Sequence, residues 1–167
     1  VKYCVGSGTL VDCPHINSKS LLEKGFTKEM ILKIEKMLPT VYDINFAFNR
    51  LTLGDDFCKE NLRIPENKLN DIGLNILTEI GFTKDQIDEA NDYICGAKTV
   101  EGAPHLKKSH YSIFDCANKA GRKGTRFIPP EAHIKIVAAA QPFISGSISK
   151  TVNLPSTATI DDIKNTF

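Results

Sequence analysis

The hydrophobic pattern of this chain switches between a two-residue and a helical period, and each switch predicts a change of element. The opening VKYCVGSGTLV sets β-branched and aromatic residues on either side of Gly6-Ser7-Gly8, which predicts a strand, a turn and a second short strand from Val1 to Val11. Helical spacing follows. Ser18 is placed to cap a helix ending near Lys24, with Gly25 beyond it in the left-handed region. Thr27 caps the next, in which Met30, Ile31, Ile34, Met37 and Leu38 share one face until Pro39 stops it.

The same grammar returns later. EKGFTKEMILKIE at Glu23 to Glu35 is echoed by EIGFTKDQIDEAN at Glu79 to Asn91, each with a glycine stop, a phenylalanine and a threonine cap for the following helix. In the second copy Gln86 stands three residues after Thr83, the spacing at which two side chains satisfy each other's unpaired backbone N–H groups. Two copies are too few for a solenoid, so the pattern predicts a helical corner used twice. Between them Tyr42 to Phe57 mixes aromatics with Asn49-Arg50 and Gly54-Asp55, which predicts irregular structure or short strand with turns. Asp71 is placed to cap a short helix through Leu74, Leu77 and Ile80, and Lys84 to Ile94 supplies another.

From Cys95 to Phe127 turn residues dominate, and this stretch is expected to wrap over the scaffold. Pro129 and Pro130 introduce a helix over Glu131 to Ala140, since proline in a first turn loses no hydrogen bond. After Pro142, Ser147 to Leu154 returns to a strand pattern, and Thr159 with Asp162 opens a last helix that runs out at Phe167. That unfinished helix and a start at Val1 rather than methionine suggest a piece cut from a longer chain.

Composition narrows the function classes. The 167 residues fit one domain, with 41% hydrophobic and 25% charged residues, an ordinary globular mixture. No run approaches the roughly 18 apolar residues of a membrane span, and the first residues lack the charged and apolar regions of a secretory signal. Lys and Arg total 21 against 20 for Asp and Glu, so no net field draws the chain to nucleic acid or to an anionic membrane. Neither is expected as a partner. Cys4, Cys13, Cys58, Cys95 and Cys116 are odd in number and irregularly spaced, which points to reduced thiols, mostly small buried hydrophobes, in a cytoplasmic setting.

Several motifs invite chemistry and fall short of it. SGSISKT at Ser145 to Thr151 resembles a phosphate-binding loop in its small residues and lysine, but Ser149 and Ile144 stand where that loop needs glycine, and here a helix precedes the loop rather than following it. Cys95, His105, His110 and Cys116 offer zinc-type ligands without the close pairs that make such a site, and Cys4, Cys13 and His15 are weaker still. Cys116, followed by Arg122, Lys123 and Arg126, has the most electropositive surroundings of any cysteine, although a solvated basic turn is the commoner explanation of such charges. The doubled corner has the outline of helix-turn-helix and small ubiquitin-binding folds, but Asp85, Asp88, Glu89 and Asp92 would repel phosphate.

Longer motifs go further. KGFTKEMILKIEKMLPTVYDINFAFNRLTLGDDFC, then GFTKDQIDEANDYICGAKTVEGAPHLKKSHYSIFDCAN from Gly81 to Asn118, then GRKGTRFIPPEAHIKIVAAAQPFISGSISKTVNLPSTATIDD follow one another in an order that resembles the adenosylcobalamin-dependent, class II ribonucleotide reductases. The run AAAQPFISGSISKTVNLP from Ala138 to Pro155 is the most informative part of the match. Tyr42 and Ile113 stand where the family has Phe and Val, Lys119-Ala120 where it commonly has Pro-Cys, and the opening VGSGTLVDCPHI lacks its glycine triplet.

The resemblance implies an α/β fold, part of a ten-stranded barrel with helix-rich insertions, with residues 1–167 forming a late portion of that catalytic domain truncated at both ends. It implies reduction of ribonucleotides to deoxyribonucleotides by thiyl radical chemistry that adenosylcobalamin initiates, with an external thiol reductant such as thioredoxin and with nucleotide effectors as further partners. The family's thiyl cysteine with its Asn and Glu partners, and its P-T-G-x-I-S substrate loop, lie upstream of the matched region; its redox cysteines lie downstream. No such role is therefore assigned to any cysteine here. The residues expected to line substrate or cofactor are Ser145, Gly146, Ser147, Ser149, Lys150 and Thr151, with Gly146 and Ser147 permitting close approach. The competing reading is a non-catalytic helical interaction module built on the two GFTK corners.

Overall fold

The computed structural model describes residues 1–71, 73–155 and 157–166. Among the described residues the regular structure is helical: α1 (Lys2–Val5), α2 (Ser18–Glu23), α3 (Lys28–Met37), α4 (Arg50–Leu53), α5 (Asp55–Glu60), α6 (Glu66–Leu69), α7 (Ile76–Glu79), α8 (Lys84–Ile94), α9 (Pro130–Ala140) and α10 (Ile160–Thr166), joined by turns and short 3-10 segments. No strand occurs among them, which overturns the expected α/β barrel architecture for this chain. A strand exists only through hydrogen bonds to a neighbour. Residues 147–154 find none, and they carry no regular structure despite their strand-like pattern.

The expected hairpin at Val1 to Val11 is likewise replaced. Residues 2–5 form the single turn α1, and the chain then clasps the end of α8. Ser7 and Gly8 donate to the carbonyls of Tyr93 and Ile94, at 2.8 and 2.9 Å, while Ala97 and Lys98 donate back to Tyr3 and Cys4, at 2.8 and 3.0 Å. The crossing is close enough that a Cβ on Gly96 would lie 2.4 Å from the Gly6 nitrogen, and one on Gly6 would lie 2.1 Å from the Ile94 oxygen.

The chain divides into two compact units, Val1–Lys98 and Thr99–Phe167, where length alone suggested one domain. The first unit holds the core. Phe26 stands edge-on to Phe48 at 5.9 Å and to Phe57 at 5.5 Å, and Leu21, Ile34, Ile44 and Leu77 are fully enclosed around them.

The doubled corner is borne out in atomic detail. Phe26 N–H bonds to Leu21 C=O and Gly25 N–H to Leu22 C=O, at 3.0 and 3.1 Å; Phe82 to Leu77 and Gly81 to Thr78 repeat this, both at 3.0 Å. This is the Schellman closure, and it needs a left-handed residue, met by Gly25 at φ 95° and Gly81 at φ 94°. Thr27 and Thr83 then cap α3 and α8, and Gln86 returns the bond to the Thr83 N–H. The first copy has Met30 at the corresponding place and only the one bond.

Three local expectations change. Asn17, not Ser18, caps α2: it is the last extended residue, and its Oδ1 accepts from Lys19 and Ser20 while Ser20 Oγ accepts from its N–H. Asn75, not Asp71, caps α7; Asp71 instead accepts from the Gly73 N–H in a turn. Residues 42–57 are helical turns rather than strand, begun by Asp43 and Asn49, whose side chains capture nearby N–H groups and divert the backbone into caps.

In the second unit, by itself, α9 is bounded by the two prolines as expected and α10 by Thr159 and Asp162, which bond reciprocally. No apolar side chain from 99 onward is buried among the described residues.

Candidate functional site

After α9, a 3-10 turn over Gln141–Phe143 leads into the segment expected to line a site. Gln141 Nε2 donates to the Gly146 carbonyl at 2.9 Å, which ties the loop to the end of the helix. Ser145, Gly146, Ser147, Ser149, Lys150 and Thr151 are all exposed, and a Cβ on Gly146 would meet nothing within 4 Å. The loop is thus open on this chain. A cavity of about 330 Å³ lies beside it, walled by Ile134, Val137, Ile148 and Val152, with His133, Gln141 and Lys150 also lining it. Of the six expected site residues only Lys150 reaches this cavity.

His133 escaped notice in the sequence. The only signal was its helical spacing to Val137 and Gln141, four and eight residues on, which puts all three on one face of α9. Its Nε2 is buried and has no hydrogen-bond partner among the described residues.

A polar brace organises the turn-rich stretch of the second unit. Glu101 accepts from the Thr125 N–H and hydroxyl, both at 2.7 Å, and from the Arg126 N–H at 2.9 Å. Arg126 in turn grips Asp115 through two bonds of 2.8 and 2.6 Å, and Ile128 N–H bonds to the Cys116 carbonyl at 2.7 Å. The Arg126 N–H, then the Thr125 hydroxyl and N–H, hold the Glu101 carboxyl below the ordinary glutamate range. A depressed pKa means that the brace is complete at neutral pH and above, and is lost as pH falls through that lowered value. Glu101→Gln should therefore abolish the acid transition of the Thr125 and Arg126 amide resonances, which NMR titration of both forms would show.

The cysteines separate by burial. Cys13 and Cys58 are enclosed, and desolvation pushes the Cys13 thiol up to about 12 and raises that of Cys58. Neither is a poised nucleophile. Cys116 is exposed, but Arg126 is committed to Asp115 and Lys119 lies over the Phe127 ring, 5.6 Å from its centroid. The zinc reading finds no ligand set: among the described residues no group of three or more His, Cys, Asp or Glu side chains is arranged to hold a metal. His15, the third member of the weaker set, meets Glu89 at 2.9 Å.

The family profile for the ribonucleotide reductase barrel domain matches residues 58–167. The chain belongs to the ribonucleotide reductase family. Its kinship is with the vitamin B12-dependent branch. It is 53% identical over 99% of its length to the vitamin B12-dependent ribonucleotide reductase of Bradyrhizobium diazoefficiens, and 49% identical over 96% to that of Agrobacterium fabrum. A vitamin B12-dependent ribonucleoside-diphosphate reductase of Mycobacterium tuberculosis is 49% identical over 39% of the chain. The chain spans 13% of the length of the first two relatives.

Several residues of the reductase motifs prove to have structural duties in this chain. Asn91 of A-N accepts from the Ile44 N–H, Gly96 of C-G makes the backbone crossing, and Glu101 of E-G with Asp115 of D-C builds the brace.

Proposed function

We propose that this chain is a late segment of the catalytic domain of an adenosylcobalamin-dependent ribonucleotide reductase, where it lines the substrate or cofactor side through residues 145–151. The observation that carries the reading is the 53% identity to a vitamin B12-dependent ribonucleotide reductase across nearly the whole chain. The reaction of the longer enzyme would be reduction of ribonucleotides to deoxyribonucleotides, with electrons from a thiol reductant such as thioredoxin and with nucleotides also acting as effectors. No helix among the described residues is long and apolar enough to cross a membrane, and a cytoplasmic enzyme accords with this.

The residues present suit part of the cofactor rather than all of it. The cavity beside α9 has room for a nucleobase and sugar but not for a corrin ring. Adenosylcobalamin, when bound to the longer enzyme, supplies the radical. This chain's own contribution is positioning: Gln141 holds the loop, Gly146 leaves its backbone open, and Lys150 brings a positive charge.

The interaction-module alternative gains no support from the corners. Phe26 and Phe82, which would have to present a binding face, are both buried in the first unit's own core.

Deoxyribonucleotide formation by the longer polypeptide, dependent on added adenosylcobalamin, tests the reading; none formed by folded enzyme supplied with reductant would overturn it. Cys116→Ala in that enzyme should keep measurable turnover, since on this chain the thiol is exposed and donates to the Phe114 carbonyl at 3.6 Å.

A further inference from the structure

We propose that the second unit docks an extended polypeptide segment carrying an acidic and a basic side chain two residues apart, the acid received at Lys119 and the base at Glu131 and Asp162. Such docking lies beyond the reductase reading and does not depend on it.

Two cavities of about 220 Å³ each share Phe127, Leu154 and Pro155 as a common wall. Their polar ends differ in charge. Among the described residues the first adds Asn118, Lys119 and Thr157 and is positive, whereas the second adds Glu131, Asp162 and Thr166 and is negative. The shared wall is half-buried, while Lys119, Glu131 and Asp162 are exposed, so a docking chain can touch all of them.

Neither cavity suits a separate small molecule. Each falls below the range of about 300 to 1,000 Å³ that small-ligand pockets occupy, and each has room for one long side chain. Opposite charges on either side of an apolar wall instead call for one ligand that carries both signs on an apolar body. An extended polypeptide meets this demand. Its side chains at i and i+2 project from the same side, so one enters each cavity while the backbone crosses the wall between them.

The charges are placed to receive such a chain. The Lys119 ammonium stands over the Phe127 ring, 5.6 Å from its centroid, which holds it at the shared wall without neutralising it. In the other cavity Asp162 accepts the Thr159 N–H and hydroxyl, both on Oδ2 at 2.8 Å, and Oδ1 lies outside that cap. The same two bonds, the N–H first, hold its carboxyl below the ordinary aspartate range, so it is ionised at neutral pH. A basic side chain entering here also lays its aliphatic stem along Pro129 and Pro130.

The 167-residue chain, labelled with ¹⁵N, would be titrated with the blocked peptides Gly-Glu-Ala-Arg-Gly and Gly-Arg-Ala-Glu-Gly, because the cavities do not fix the direction of the docked chain. Blocked Gly-Gln-Ala-Gln-Gly is the uncharged control, and 6-aminohexanoate is the small molecule that carries both charges. A saturable shift of the Lys119 and Glu131 amides together is expected with at least one of the charged peptides, and little with the two controls. Lys119→Glu should weaken that peptide at least about fivefold and bind Gly-Arg-Ala-Arg-Gly better than the parent chain does; Glu131→Lys, an independent exposed site, should weaken it by a similar factor. A shift confined to one cavity, equal binding of either control, or unchanged affinity in both variants would each overturn the docking site.

Discussion

Gly96→Ala is expected to unfold the first unit, or to leave it barely folded. The new Cβ would sit 2.4 Å from the Gly6 nitrogen and 2.6 Å from the Cys4 carbonyl carbon and oxygen, all backbone atoms that no rotamer change can move. Gly96 also lies at φ 78°, where a side chain is strained whatever the space around it. A disallowed backbone costs about 1–3 kcal/mol and overpacking about as much again, so a loss of about 3 kcal/mol or more is expected. Domains of this size have only about 5–15 kcal/mol to lose. Urea unfolding followed by circular dichroism measures it, and Gly146→Ala is the matched control. There the Cβ meets nothing within 4 Å, and a change within about 0.5 kcal/mol is expected. Equal midpoints for the two variants would refute the account of the crossing.

Asn91→Ala should come next in severity. Asn91 is 2% exposed on α8, and its Oδ1 accepts from the Ile44 N–H at 2.8 Å, so one side chain pins the 42–48 segment to the helix. Truncation leaves a buried N–H without a partner and a small void beside it, together costing about 2–4 kcal/mol. The signature is local as well as global. The Ile44 amide, protected in the parent chain, should exchange with solvent far faster in the variant, well beyond the change at the Phe26 and Phe82 amides of the two corners. If all three amides accelerated alike, Asn91 would be a packing residue and not a tether.

The corners were legible because their information is local. A left-handed glycine, a threonine with an acceptor oxygen and an apolar stripe act within a few residues, and the structure reproduces them in both copies. The same holds for α9 after its prolines and for Thr159 with Asp162. Asn17 and Asn75 were missed as caps because Ser18 and Asp71 have the same chemistry, and which residue is the last extended one depends on how the following helix packs. Strand patterns failed for a different reason. Alternation at 1–11 and 147–154 shows only which faces are apolar, and a strand also needs a partner edge that the segment does not contain.

Of the candidate site, the sequence pointed to the loop at 145–151 and to Lys150, but not to His133, because a lone histidine on a helix has no local mark of being orphaned. By itself, then, the sequence determined the kinship of this chain, its doubled helical corner and the caps that depend on neighbours in the chain, all short-range chemistry or ordered motifs. Only the tertiary structure decided that the N-terminus clasps α8 instead of forming a hairpin, that Glu101 finds Thr125 and Arg126, and that the Nε2 of His133 loses water without gaining a partner among the described residues. Those outcomes depend on which distant groups meet and which lose water, and no period along the chain encodes that.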